Sequence, residues 1–215
     1  MKIMPVRNKQ LWMSNVLIIV CLAATAFFPT DGGFQSMVAS LAFLVLLPIL
    51  FIRFFLRRPL ADFGVSWGDA IQGMLWLVAF LVVIIVLFVW AHQYTDSLLR
   101  DQIPLSVRSG FSSFLIYISI AGLLLAAQEF FFRGFVLNVW KTTIGSGAIL
   151  AQMLFSLVLP LVASRGLPGV GTLSIAILSL CSGWIAYRSR SIWYSFFFFF
   201  ISAILGISMV LVFVR

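Results

Sequence analysis

The sequence predicts an all-α fold, a polytopic bundle of about seven transmembrane helices, and two observations lead to this prediction. Hydrophobic residues make up 63% of the 215-residue chain, and charged residues only 9%. A soluble domain could not cover that much apolar surface, whereas a bilayer can. The apolar residues also form separate runs close to the ~20 residues that a helix needs to cross the hydrocarbon core. We therefore expect residues 1–215 to form one integral membrane domain.

Seven apolar runs, separated by polar connections that often contain Gly or Pro, are the predicted spans. Pro29 should end the first run, and Pro48 should kink the second. A polar loop is expected from 92 to 110. The fifth run is short, and the sequence does not decide whether it crosses fully. The seven runs are residues 11–28, 37–55, 70–91, 111–127, 148–162, 172–187 and 192–214.

Lysine and arginine are concentrated in every second connection, which is the pattern of cytoplasmic loops. This bias predicts a cytoplasmic N-terminus and places Glu129 near the cytoplasmic end of the fourth helix. The amphipathic segment 57–69 starts with two arginines and is expected at the cytoplasmic interface. The basic residues on the predicted inner side are Lys2, Arg7, Lys9, Arg53, Arg57, Arg58, Arg133, Lys141, Arg188 and Arg190.

The charge pattern and the cysteines exclude other classes of protein. A net charge of +8 would suit a nucleic-acid partner, but the basic residues flank apolar runs. We therefore expect anionic lipid headgroups as their partners and no nucleic acid. Cys21 and Cys181 both fall inside apolar runs, so they should be buried small hydrophobic residues rather than a disulfide.

The only glutamate of the chain, Glu129, lies where the fourth apolar run ends, and Arg133 follows four residues later. This spacing puts both side chains on one helix face, in the favoured order of acid before base. An ionisable residue at the edge of an apolar span is costly without a partner and is therefore a candidate for a functional site. Two interpretations stay open here: a structural ion pair, or the remnant of an active site.

Residues 128–134, with the sequence QEFFFRG, resemble the first motif of the CPBP family, also called Abi, of CAAX-prenyl-protease-like intramembrane metalloproteases. That motif reads Glu-Glu-x-x-x-Arg, usually followed by Gly, at the end of a membrane helix. Residues 183–194 resemble the family's Gly-Tyr-x-x-x-Arg-Thr-Gly-Ser-Ile-Trp turn. The order and spacing of the two stretches also fit, and the resemblance covers a core of roughly residues 111–203.

The resemblance implies which positions would carry the family's hydrolytic chemistry, and most of them are changed in this chain. The glutamate that activates a water corresponds to Gln128, whose amide cannot act as a general base. A histidine that follows a phenylalanine by four residues corresponds to Leu159. The closing His-x-x-x-Asn motif corresponds to Phe199 and Ala203. Only the second glutamate and the arginine of the first motif are retained.

The other residues do not suggest a replacement metal site. Catalytic zinc needs three protein ligands and an open position. The apolar runs offer Glu129, Cys21 and Cys181, in three different runs. The only histidine, His92, follows the third run on the predicted outer side, about a bilayer thickness (~30 Å) from Glu129. We therefore expect no bound metal and no cofactor.

The sequence thus favours a CPBP-like pseudoprotease of the bacterial cytoplasmic (inner) membrane. Its expected partners are membrane lipids and another integral membrane protein or complex, for which it would be a scaffold, assembly factor or regulatory subunit. Two alternatives stay open. One is a divergent CAAX-protease-like endopeptidase, and the other is an immunity-type protein that holds a lipid or peptide in the former substrate cavity.

Overall fold

The computed structural model describes residues 8–29, 33–100, 111–163 and 170–213, and within these ranges every regular element is a helix. The predicted all-α fold is therefore confirmed. The α-helices, in chain order, are α1 (Asn8–Phe27), α2 (Gly33–Leu41), α3 (Leu47–Leu50), α4 (Ala70–Arg100), α5 (Phe111–Glu129), α6 (Leu137–Ile144), α7 (Ala148–Ala163), α8 (Val170–Ser189) and α9 (Ile192–Phe213).

Segments of π-helix interrupt the α-helical hydrogen bonding at three places in the described residues, at Ala42–Leu46, Phe51–Leu56 and Phe130–Val136. Pro48 lies in α3, between the first two. Proline has no N–H to donate to a helical hydrogen bond. The α-helical hydrogen bonding is accordingly interrupted before and after Pro48, where the sequence predicts a kink. The third segment continues α5 directly into α6 and contains Arg133.

In the part of the chain that the structure describes, four helical stretches are long and apolar enough to cross a membrane: Lys9–Phe27, Phe34–Leu56, Ala70–Leu87 and Phe114–Ala163. Phe114–Ala163, at 50 residues, runs from α5 through α6 to α7 and contains most of the predicted fourth span and all of the predicted fifth. A shorter apolar helix follows at Ile192–Ser208. The chain is therefore an integral membrane protein, whereas the number of crossings and the cytoplasmic N-terminus stay predictions. The 16 residues of α7 measure about 24 Å, less than a full hydrocarbon core of ~30 Å.

The predicted loop over residues 92–110 is wrong in its first half. α4 continues to Arg100 as one 31-residue helix, and residues 101–110 lie outside the described ranges. The polar composition of 92–100 indicated a loop, but this stretch contains no Gly or Pro, and polar residues alone do not end a helix. A helix of this length measures about 46 Å and exceeds the hydrocarbon thickness of ~30 Å.

Helix α8 packs against three other helices, α4, α7 and α9. α1 packs against α7 and the first π segment. A central apolar cluster forms around the π segment after α5, with Phe131, Phe132 and Phe135 fully buried. Both cysteines are free thiols, and Cys21 is part of this cluster.

The segment 57–69, which we call the interfacial segment, is fixed to the turn between α8 and α9. The amide of Asp69 donates to the carbonyl of Ser189 at 2.7 Å, and the amide of Ile192 donates to the carbonyl of Gly64 at 3.0 Å. Gly68 has φ +55°, and a Cβ there would collide with the Ser189 carbonyl oxygen. The two stretches therefore approach so closely that only glycine fits at this position.

Candidate functional site

The candidate site begins where α5 passes into its π segment. All side chains from 129 to 137 are buried, and Glu129 and Arg133 are exposed by only 1% and 2%. Nη1 of Arg133 lies 3.2 Å from Oε1 of Glu129. A buried ion pair of this kind needs further hydrogen bonds to offset the loss of hydration. The other hydrogen-bond partners of the guanidinium therefore matter for the stability of the site.

Those partners come from α8. The guanidinium donates from Nε to Oγ of Ser182 at 2.9 Å, and from Nη2 to Oγ of Ser179 at 2.9 Å and of Ser182 at 2.6 Å. All these atoms are buried. Because Ser179 and Ser182 are three residues apart, one face of α8 presents both hydroxyls to Arg133. The ion pair of Glu129 and Arg133 is thereby hydrogen-bonded to α8.

A third helix, α7, completes this polar network. Ser156 and Ser179 share a hydrogen bond of 2.7 Å between their hydroxyls, and Nε2 of Gln152 donates to the carbonyl of Ser179 at 2.8 Å. Neither carboxylate oxygen of Glu129 accepts a hydrogen bond in this structure, and neither does Oε1 of Gln152. The guanidinium of Arg133 is therefore the cation that balances the charge of Glu129, and the Ser195 hydroxyl lies close to the carboxylate.

Two aromatic rings lie beside the guanidinium. Its central carbon is 5.6 Å from the ring centroid of Phe199 and 5.9 Å from that of Phe132. Aromatic rings at this distance attract a cation through their π-electrons. Phe199 is the position that the family resemblance assigns to a histidine. In this chain, the ring at that position contacts the arginine instead.

The other degenerate positions lie on the surrounding helices. Leu159, on α7, is half-buried and packs against the central apolar cluster. Gln128 and Ala203 are half-buried on α5 and α9. The structure therefore brings Glu129, Arg133 and Phe199 together.

These side chains do not fit the metal that the family resemblance implies. Leu159, Phe199 and Ala203 have no donor atom, and Gln128 offers an amide, a poor ligand for zinc. The one carboxylate, that of Glu129, already faces a guanidinium at 3.2 Å. A cation bound there would be repelled by Arg133 at close range. Among the described residues, no three His, Cys, Asp or Glu side chains group as a metal site.

Sequence reasoning missed the serines and the glutamine of the network. A signal was present, because Ser179 and Ser182 interrupt an apolar run at a spacing of three residues. Gln152 and Ser156 do the same in the preceding run at a spacing of four. Polar residues that share one face of a membrane helix are expected to face the bundle interior.

These features define a polytopic helical membrane protein with a buried, charged network where α5, α7 and α8 meet. Residues 108–205 match the family model of the type II CAAX prenyl endopeptidase Rce1-like proteins. The match covers slightly less than half of the chain, and over this segment the chain is similar to the CAAX prenyl endopeptidase, or CPBP, family, as the two motifs predicted. No curated protein and no solved structure matches the chain.

Proposed function

We propose that this chain is a non-catalytic member of its family, a pseudoprotease of the bacterial cytoplasmic membrane. Its role is to bind another membrane protein as a scaffold, assembly factor or regulatory subunit. The observation that carries the proposal is the use of the one retained carboxylate: Glu129 faces Arg133 at 3.2 Å, and Arg133 is held by two serines of α8.

The chemistry of the substituted positions supports this proposal. Peptide hydrolysis needs a group that activates water and groups that stabilise the developing charge. The amide of Gln128 cannot take a proton at neutral pH, and the side chains of Leu159, Phe199 and Ala203 have neither lone pairs nor acidic protons to offer.

The set of substitutions is also consistent as a whole. A buried polar group that loses its partner costs about 1–3 kcal/mol. A histidine left without its metal in a dry helix interface would carry that cost, whereas leucine and phenylalanine avoid it and fill the space. Glu129 and Arg133 can remain because each balances the charge of the other.

Restoring the family's residues tests the absence of catalysis. The variant Gln128→Glu/Leu159→His/Phe199→His/Ala203→Asn is compared with the parent chain on a farnesylated CAAX peptide, with and without a chelator. The parent should release no more product than a Glu129→Gln control, and any turnover that appears should belong to the restored variant. Chelator-sensitive cleavage by the parent, lost in the control while folding is kept, would instead establish a divergent endopeptidase.

The binding role needs a separate measurement in the native membrane. A photo-crosslinking phenylalanine analogue can replace phenylalanines exposed on the bundle surface, such as Phe34 at 74% and Phe54 at 75%. Buried Phe131 serves as the matched control, since it contacts only the chain itself. A scaffold should give one dominant protein adduct from a subset of exposed positions, in proportion to the amount of chain. Adducts with lipid alone at every exposed position would contradict the proposed role.

A further inference from the structure

A polar cavity of about 490 Å³ lies at one end of the bundle, separate from the buried network. Its walls are the interfacial segment, α6 and the turn between α8 and α9. The ionisable residues in these walls are three cations and two carboxylates: Lys141, Arg188, Arg190, Asp62 and Asp69. The volume is within the range of ~300–1,000 Å³ that small-ligand sites occupy.

Two of the three cations, Lys141 and Arg188, are oriented by contacts that carry no opposing charge. Nζ of Lys141 donates to the carbonyl of Tyr187 at 3.1 Å and lies 4.3 Å from the centroid of the Tyr187 ring. The guanidinium of Arg188 lies over the Trp184 ring at 5.9 Å. A carbonyl and two aromatic rings orient these groups, but they carry no net negative charge.

One of the two carboxylates is occupied in a structural contact. Oδ1 of Asp69 accepts a hydrogen bond of 3.0 Å from the amide of Gln72. Asp69 therefore caps the first turn of α4. Among the described contacts, Asp62 is the one carboxylate of the wall that caps no helix. The wall thus has three positively charged side chains and two negatively charged ones. The cavity is positive overall.

Aromatic side chains next to the cavity indicate the depth at which it lies. Trp67, from the interfacial segment, is 63% exposed and stacks on Trp193 at a centroid distance of 5.8 Å. Exposed tryptophans at the ends of membrane helices lie at the level of the lipid headgroups. Basic pockets between such helix ends attract phosphate-bearing headgroups.

We propose that Lys141, Arg188 and Arg190 form a binding site for a phosphate group, carried either by an anionic lipid headgroup or by a soluble anion. Arginine pairs with phosphate through two parallel N–H donors, and lysine adds a point charge. The amide of Asn138, also in the wall, donates to the carbonyls of Arg133 and Gly134 at 3.2 and 2.8 Å. A ligand in this cavity would therefore lie one side chain away from the buried network, whatever the function of that network is.

The test uses the purified full chain in a non-ionic detergent, which carries no phosphate. Thermal unfolding is followed with short-chain phosphatidylglycerol, phosphatidylcholine or inorganic phosphate added, because a ligand that binds only the folded state raises the midpoint. Phosphatidylglycerol should stabilise the chain, and phosphatidylcholine should do so much less, because its choline cation offsets the charge of its phosphate. If inorganic phosphate competes with phosphatidylglycerol, or stabilises alone, the site takes the phosphate group from either source. Stabilisation by none of the anions would overturn the proposal.

Matched variants locate the binding. Arg188→Gln/Arg190→Asn should weaken binding roughly 30-fold, since each basic residue near a headgroup contributes about a factor of five. Asparagine is chosen because Arg190 has φ +57°, which asparagine tolerates. The control Lys9→Gln/Arg53→Gln removes the same charge from exposed positions outside the cavity and should change affinity less than about threefold. An equal loss in both variants would overturn the proposal.

Two further variants keep the test decisive if the first one unfolds. Arg188→Lys/Arg190→Lys preserves the charge and should retain most of the affinity. Ser66→Asp adds a carboxylate to the cavity wall and should weaken phosphatidylglycerol binding about fivefold. Unchanged binding in Ser66→Asp would count against this cavity as the site.

Discussion

Replacing Arg133 by methionine should destabilise the chain by about 3–5 kcal/mol, because it leaves the carboxylate of Glu129 buried without a cation. The loss of the serine hydrogen bonds to Arg133 should add little to this destabilisation. Ser179 keeps its bond to Ser156 at 2.7 Å, and Ser182 keeps a bond to the Ser179 carbonyl at 3.3 Å. The serines are therefore not left unsatisfied, and the expected cost comes from the isolated charge.

Two companion variants separate the charge from the packing. Glu129→Gln leaves a cation that still has its serine partners and two aromatic rings, so about 1–3 kcal/mol is expected. The double variant Glu129→Met/Arg133→Met removes both charges and should recover most of the stability lost in Arg133→Met alone. Methionine is used because its flexible side chain fills the vacated space.

The assay is equilibrium unfolding in mixed micelles of dodecyl maltoside and SDS, followed by the fluorescence of the seven tryptophans. The expected order of destabilisation is Arg133→Met, then Glu129→Gln, then the double variant. A double variant as unstable as Arg133→Met would refute the reasoning, since the loss would then come from packing and not from an unpaired carboxylate.

Two glycine substitutions test the contacts of the interfacial segment and of α4. Gly68→Ala should cost more than Gly145→Ala by at least about 1 kcal/mol: both have positive φ, but only Gly68 meets another backbone, the Ser189 carbonyl. Comparable midpoints of unfolding would contradict this. Gly73→Ala should destabilise the chain by about 1–3 kcal/mol, because the added methyl would enter the Tyr194 ring. Since alanine otherwise favours a helix, a rise in the unfolding midpoint would show that this contact is loose.

Much of the fold could be predicted because apolar runs in a membrane protein have few alternatives to helix. The spacing of Glu129 and Arg133 predicted their shared helix face, and the structure places their charged atoms 3.2 Å apart. Periodicity could not predict the π segments, since π-helix depends on local packing rather than on a residue pattern. The hydrogen bonds from Arg133 to Ser179 and Ser182 connect distant parts of the chain, and no local pattern predicts such a pairing.

The separation between these partners has a consequence for biosynthesis. Ser179 and Ser182 follow Arg133 by 46 and 49 residues, which a ribosome adds in roughly 2–10 s at ~5–20 residues per second. During that interval, the charged helix end must enter or border the bilayer before α8 has been synthesised. The glutamate four residues upstream is already present and balances the arginine within the same helix. The nascent segment therefore carries its own counter-ion through insertion, and α8 joins it only afterwards.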